Sequence, residues 1–267
     1  MNSRLLAEDR RHIAAGLALG LWAAAIAVVP GLLAKGLLLA PALLLPFAWW
    51  LLSARNRWVM VFFAAALLLP PLPFAMGNSG PHPSLLVAGI GVLAGLLWLP
   101  EWRIPIDSLP ASLLTLSLAL AASVAQAALY SGATVAAASL ARVALFGISV
   151  YVFFYTVCGS TTTTAVVRDV RRLYWMAAAA ALFACVDFYF QLPAPAGYGA
   201  QFVWLDSGVY RRAQGLFYEA STLGNFCVFF LVMIAAGLQQ GSAAILSRKA
   251  MLAGGIVLFA ALLLSYS

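Results

Sequence analysis

The stretch from Ala133 to Cys158 reads ATVAAASLARVALFGISVYVFFYTVC and contains a single charged side chain, that of Arg142. A helix of this length rises by about 39 Å, because each residue adds about 1.5 Å along the axis. The hydrocarbon core of a bilayer is about 30 Å thick, so about 20 apolar residues are enough to cross it. The stretch therefore predicts a transmembrane helix.

Similar apolar runs fill most of the chain. The first two are separated only by residues 30–35, so they could form a helical hairpin, or one of them could be re-entrant. The sequence predicts an all-α polytopic transmembrane helical bundle of about nine spans, in a single domain over residues 1–267. The runs cover residues 13–29, 36–52, 58–74, 84–99, 111–130, 133–158, 173–190, 223–238 and 251–266.

The composition excludes the two main alternatives to a membrane protein. Apolar residues make up 64% of the chain and charged residues 9%, whereas soluble domains are about 45–50% apolar and about 25% charged. A water-soluble globule and a disordered chain are both excluded. The net charge of +7 would suggest a nucleic-acid partner in a soluble protein, but here the basic residues lie in short loops between apolar runs, and we expect membrane lipids as neighbours.

The distribution of basic residues predicts the orientation. Eleven of the fifteen Lys and Arg residues lie on one side if the spans alternate, and Lys35, Arg211 and Arg212 lie on the other side. Basic residues accumulate in short cytoplasmic loops. We therefore expect a cytoplasmic N-terminus, with residue 267 at the outer face.

Neither a metal site nor a disulfide framework is indicated. Cys158, Cys185 and Cys227 lie in or beside apolar runs and form no CxxC pair, and His12 and His82 are distant in sequence. These spacings match no metal-ligand pattern. A lone histidine such as His82 is more often structural or solvated than a ligand.

Two ionisable residues fall within predicted spans, where burial is expensive. Arg142 would lie roughly 14 Å below the outer surface, and Asp187 roughly 5–9 Å below it. The two could form a structural pair. Alternatively, Arg142 could face a cavity and meet an anionic substrate, or its side chain could snorkel to the interface.

The longest outer segment, residues 191–222, departs from the rule that basic residues accumulate in cytoplasmic loops. Proline and glycine argue against a continuous helix at its start, and aromatic side chains suit a position at headgroup level. Arg211 and Arg212 lie on the side where few other basic residues are found. They could bind a substrate phosphate through bidentate contacts, or anchor the segment to anionic headgroups. The aromatic residues are Tyr198, Phe202, Trp204 and Tyr210.

The sequence RRAQGLFYEASTLGN, residues 211–225, joins this segment to the next span. If it is helical, Arg212, Gly215, Glu219, Thr222 and Phe226 share one face. Gly215 would then allow close approach of a backbone or a substrate. Glu219 could orient an arginine through an ion pair or act as a base, and the orienting role is the simpler one.

This element resembles the O-antigen ligase and polymerase family of bacterial envelope enzymes. The pattern is Arg-x-x-Gly-x-Phe followed by Glu-x-Ser-x-x-Gly at the outer face of a span. It covers roughly 15–20 residues, and elsewhere the similarity lies in hydropathy. The matching residues are Arg212, Gly215, Phe217, Glu219, Ser221 and Gly224.

The resemblance implies a metal-independent glycosyltransferase without a cofactor, located in the bacterial inner membrane. Such proteins transfer a glycan from an undecaprenyl diphosphate carrier at the periplasmic face to lipid A-core or another acceptor. Arg212 and Glu219 would be the catalytic residues, with Arg212 holding the diphosphate leaving group. Arg211, Arg142 and Gly215 would complete the substrate site. The residues leave ligase and polymerase activity equally open.

The chain departs from the family pattern at its end. Family members usually continue with a large periplasmic loop that carries a histidine and with further spans, whereas this chain ends at Leu264-Ser265-Tyr266-Ser267. We therefore expect a truncated product or an incomplete sequence. Two other classes stay open: a multi-span transporter or flippase of lipid-linked substrates, which would need ionisable residues at mid-membrane in several spans, and a scaffolding subunit.

Overall fold

The computed structural model describes residues 3–72, 81–102, 107–158, 162–192, 199–217, 219–239 and 245–266. Within these ranges the chain forms nine α-helices, one short 3₁₀ turn at Leu99–Glu101 and two β-strands. The helices are α1 (Ser3–Val28), α2 (Leu32–Leu52), α3 (Arg57–Leu68), α4 (Pro83–Leu97), α5 (Ser108–Tyr130), α6 (Ala133–Cys158), α7 (Thr163–Phe190), α8 (Ala220–Gln239) and α9 (Arg248–Ser265). The strands are β1 (Phe202–Leu205) and β2 (Gly208–Arg211).

Each of the nine apolar runs corresponds to one described helix, so the helical prediction is confirmed. Six of these helices, α2 and α5 to α9, are long and apolar enough to cross a membrane. The apolar parts of α1, α3 and α4 are shorter. The chain is therefore a mainly helical protein of the membrane type, while nine spans and a cytoplasmic N-terminus stay predictions.

Helix α3 ends earlier than the predicted run, which extended to residue 74. It stops at Leu68, and Leu69 is already extended, with φ −113° and ψ 140°. The reason is local, because Pro70 disfavours helical geometry at the residue before it and Pro71 follows.

His82 has the structural role that its isolation in sequence suggested. Its Nδ1 accepts a hydrogen bond from the backbone N–H of Ser84 and so caps the start of α4. Its Nε2 lies 3.0 Å from the carbonyl oxygen of Leu69, to which it donates. Burial lowers the pKa of the His82 imidazole, which favours the neutral ring that makes both bonds.

The all-α prediction missed a β-hairpin. Strands β1 and β2 pair antiparallel, with Phe202 opposite Arg211 and Leu205 opposite Gly208. Asp206 and Ser207 form the turn between them. Alternating aromatic and β-branched residues around a short polar turn are the signal that the sequence analysis overlooked.

Residues 1–54 form a compact unit of their own. In it α1 and α2 pack against each other as a helical hairpin. The indole Nε1 of Trp22 donates to the carbonyl oxygen of Leu38 over 3.1 Å.

Residues 55–267 form the second unit, whose core lies between α7, α8 and α9. Helix α7 contributes small side chains, Ala177, Ala181 and Ala184, which are fully buried. Small residues let helix backbones approach closely, which is how helices pack in membranes without a hydrophobic driving force between them. Larger side chains from α8 and α9, among them Leu223 and Leu258, fill the remaining space.

A second packing centre joins α3, α4 and α6. A Cβ atom at Gly91 would overlap the ring of Trp58, and one at Gly95 would overlap the hydroxyl of Tyr151. The Tyr151 hydroxyl donates to the carbonyl oxygen of Gly91. The missing side chains at these two glycines let α4 pack closely against α3 and α6, whereas a Cβ atom at Gly89 would meet no atom of another described element within 4 Å.

The loops of this second unit gather at two opposite ends. At one end, Arg55 pairs with Glu101 over 2.9 Å, and Arg171 donates to the carbonyl oxygen of Ile245. We call this the basic end; its described basic residues are Arg55, Arg57, Arg168, Arg171, Arg172, Arg248 and Lys249. The opposite end carries the β-hairpin, and we call it the hairpin end.

Candidate functional site

The segment that carries the two arginines is extended and then turns. The prediction that one helix face runs from residue 212 to residue 226 is therefore wrong. Helix α8 begins only at Ala220. Gly215 has a left-handed φ of +59°, which breaks a right-handed helix. Arg212 and Gly215 therefore lie outside α8, and their backbone N–H groups bind Gln201 and Asp187. Glu219 directly precedes α8, and its carbonyl oxygen accepts from the backbone N–H of Leu223.

One of those partners is the end of α9. The last four carbonyl groups of a helix have no partner within it and need other donors. In α9 the first two are satisfied locally, by a side chain and a backbone N–H of the same turn. The arginine segment supplies the other two, since Ala213 N–H donates to Leu264 O over 2.8 Å and Arg212 Nε donates to Ser265 O over 2.7 Å.

Arg212 is fixed by this contact at both its backbone and its side chain. Its Nη2 reaches the carbonyl oxygen of Tyr266 at 3.2 Å, and its backbone N–H donates to Gln201 O at 2.8 Å. A cation at a helix C-terminus is stabilised by the partial negative charge there. The guanidinium is thus held at the hairpin end, half-buried.

Arg211 is held by a buried carboxylate. Asp187, near the end of α7, is 4% exposed, and its Oδ1 lies 3.3 Å from Arg211 Nη2. The same nitrogen donates to Leu192 O over 3.1 Å. The second carboxylate oxygen, Oδ2, accepts from the backbone N–H of Gly215 over 3.2 Å. One side chain therefore fixes both the arginine and the turn that follows it.

This arrangement replaces the pair of Arg142 and Asp187 that the sequence allowed. Arg142 lies exposed on α6, and within the described residues no ion pair or hydrogen bond of its side chain is found. Asp187 prefers Arg211 because the extended segment brings that guanidinium directly over the end of α7. The predicted depths of residues within the spans could not reveal the pair of Asp187 and Arg211, because Arg211 was predicted to lie in the loop.

Gly215 makes the close approach that was expected of it, and the neighbour is a helix. A Cβ atom at this position would lie 2.9 Å from the Cβ and 3.2 Å from the Cα of Ala184 in α7. Real Cβ contacts are not that short. The site therefore needs glycine both for its left-handed backbone and for its contact with α7.

Glu219 does not orient an arginine. Its carboxylate accepts a hydrogen bond from Ser221 Oγ over 3.0 Å, and no ion pair joins it to either arginine in the described part of the chain. The start of α8 is instead capped by Gln201, whose Oε1 accepts from Ala220 N–H over 2.9 Å. Gln201 was not predicted from the sequence, because no local motif marks it as a cap.

The hairpin leaves a cluster of apolar side chains exposed beside this site. Trp204 is 79% exposed, and Phe202 and Tyr210 are also exposed. Their position at headgroup level stays a prediction. Tyr198, the fourth aromatic residue in that prediction, lies outside the described residues.

The chain matches no protein-family model, no curated protein and no solved structure. The resemblance to O-antigen ligases and polymerases therefore rests on the residues of the arginine segment. Within the described residues, no group of three or more His, Cys, Asp or Glu side chains could hold a metal ion.

Proposed function

We propose that this protein acts in the transfer or polymerisation of undecaprenyl-diphosphate-linked glycan, as O-antigen ligases and polymerases do, at the periplasmic face of a bacterial inner membrane. The observation that carries the proposal is the fixed position of two adjacent guanidinium groups at the hairpin end. Asp187 holds Arg211, and the end of α9 holds Arg212.

Fixed guanidinium groups suit a diphosphate for two reasons. Each presents planar N–H donors that match phosphate oxygens, and each stays charged at any physiological pH. Because both side chains are already ordered by protein partners, binding would cost less conformational entropy than ordering two mobile side chains. Negative charge grows on the diphosphate as the glycosidic bond breaks, so a fixed cation helps most in the transition state.

The two arginines have different roles in this proposal. Asp187 lies 3.3 Å from Arg211 and offsets its charge, and the carbonyl oxygens at the end of α9 hold Arg212. In this proposal Arg212, which matches the family pattern, binds the diphosphate, and Arg211 supports it. Glu219 is the carboxylate on the same segment and the candidate base, with lipid A-core or another glycan as acceptor.

A transporter or flippase is less well supported. It would need ionisable side chains at mid-membrane in several spans. Of the two ionisable residues identified within predicted spans, Asp187 binds Arg211 and Gly215. Arg142 is then the one remaining candidate of the two.

The test compares Arg212→Ala and Arg212→Lys in the purified chain, with undecaprenyl diphosphate as the ligand. We expect Arg212→Ala to weaken binding at least about tenfold, the loss of a charge-assisted contact of about 1.5–3 kcal/mol. Arg212→Lys should recover only a minor part, because an ammonium lacks the planar fork. In cells, Arg212→Ala should abolish the ladder of surface glycans seen on gels.

The matched control is Arg248→Ala, an exposed basic residue at the opposite end, which should bind as the wild type does. Because Arg212 also caps α9, each variant is first compared with the wild type for membrane abundance and melting temperature. Wild-type affinity in a stable Arg212→Ala variant would contradict the proposal, as would full recovery by lysine of the binding that alanine loses.

A further inference from the structure

A cleft of about 230 Å³ opens at the basic end between α3, α6 and α7, far from the arginine segment. Its walls are almost entirely hydrocarbon. Thr156 belongs to the wall, but its hydroxyl already donates to carbonyl oxygens of its own helix, so it offers no donor to a ligand. The other lining residues are Asn56, Asp169 and seven apolar residues, among them Val59, Met60, Phe63, Val166 and Leu173.

The rim of the cleft carries a small group of charges. Asp169 is a lining residue, and its Oδ1 lies 3.7 Å from Arg168 Nε and 3.6 Å from Arg172 Nη1. The carboxylate side chain is 14% exposed, whereas the two arginine side chains are 60% and 58% exposed. Two cations share one anion, so the rim has a net positive charge that faces outward.

These two features match the two parts of one kind of molecule. An apolar cleft open to the surface between membrane helices accepts a hydrocarbon chain, and exposed guanidinium groups at its rim attract a phosphate. A neutral lipid would gain contact only with the walls, and a soluble phosphate would gain contact only with the rim. A single anionic phospholipid satisfies both at once.

We propose that this cleft binds one acyl chain of an anionic phospholipid, with the lipid phosphate held by Arg168 and Arg172. The site lies at the end opposite the proposed diphosphate site and does not depend on it. The bound acyl chain contacts α3, α6 and α7 at once, because all three helices line the cleft at the basic end.

The experiment titrates the purified full chain in detergent with dioleoyl phosphatidylglycerol, dioleoyl phosphatidylcholine or inorganic phosphate. Melting temperature and native mass spectrometry report binding. We expect phosphatidylglycerol alone to bind tightly and raise the melting temperature. Replacing Arg168 and Arg172 together by Gln should weaken its binding by about fivefold for each arginine removed.

The matched control is the double variant Arg248→Gln with Lys249→Gln, which removes the same charge at the same end but outside the cleft. It should retain wild-type affinity. Val166→Trp fills the cleft and leaves the rim charges in place, and it should abolish the preference for dioleoyl over dihexanoyl chains. Equal weakening by the control pair, an equal response to inorganic phosphate, or an unchanged chain-length preference in Val166→Trp would each overturn the proposal.

Discussion

Replacing Asp187 by Ala is expected to destabilise the second unit by about 3–5 kcal/mol, the usual loss when one partner of a buried ion pair is removed. The substitution leaves the guanidinium of Arg211, whose side chain is 11% exposed, without its counter-ion. It also removes the acceptor of the Gly215 N–H. We expect a lower melting temperature and faster trypsin cleavage after Arg211 and Arg212, because the segment loses its attachment to α7.

Two variants show whether this loss comes from the pair itself. Asp187→Asn keeps one carbonyl oxygen, and its free energy of unfolding should fall by about 1–3 kcal/mol. Asp206→Asn changes an exposed acidic residue in the hairpin turn, and should stay within about 0.5 kcal/mol of the wild type. If Asp187→Ala melts and resists trypsin as the wild type does, Asp187 does not fix the segment.

Replacing Gly215 by Ala should also lower the free energy of unfolding strongly, by about 2–5 kcal/mol. A left-handed conformation costs an L-residue about 1–2 kcal/mol, and overpacking adds about 1–3 kcal/mol. The added methyl group would lie 2.9 Å from the Cβ of Ala184. Melting temperature measures the loss, and Gly199→Ala is the control because no atom lies within 4 Å of a Cβ there.

The two contributions can be separated by a double-mutant cycle. Ala184→Gly removes the methyl group that the new Cβ would contact, so it should recover part of the loss caused by Gly215→Ala. The remaining loss is then the backbone cost of φ +59°. A coupling energy near zero would show that α7 does not approach the turn as closely as the structure indicates.

The sequence was sufficient to predict the helices, for a physical reason. Hydrophobic runs such as residues 133–158 are continuous, and their bounds match α6 at both ends. Charged residues do not end a helix, so α1 begins at Ser3 and α7 at Thr163, well before the runs predicted from residues 13 and 173. At residues 70 and 71 two prolines lie inside the predicted run and α3 ends before them, so the apolar run alone gave the wrong end. Helix α2, in contrast, continues through Pro41 and Pro46.

The candidate site was only partly predictable. The arginines, Gly215 and Asp187 were all identified from their unusual positions, but their partners were not. Asp187 binds a residue 24 positions later, and Arg212 binds the end of a helix more than 50 positions later. Such contacts depend on how elements distant in sequence pack, which neither periodicity nor charge patterning encodes.

The proposed function depends most on the location of Arg211 and Arg212 outside the cytosol. The direct measurement replaces the three native cysteines and introduces Ser207→Cys in the exposed hairpin turn or Thr163→Cys at the exposed start of α7. A membrane-impermeant maleimide is then added to spheroplasts. We expect Ser207→Cys to react in intact spheroplasts and Thr163→Cys to react only after permeabilisation. The reverse pattern would place both arginines in the cytosol and contradict the proposed function.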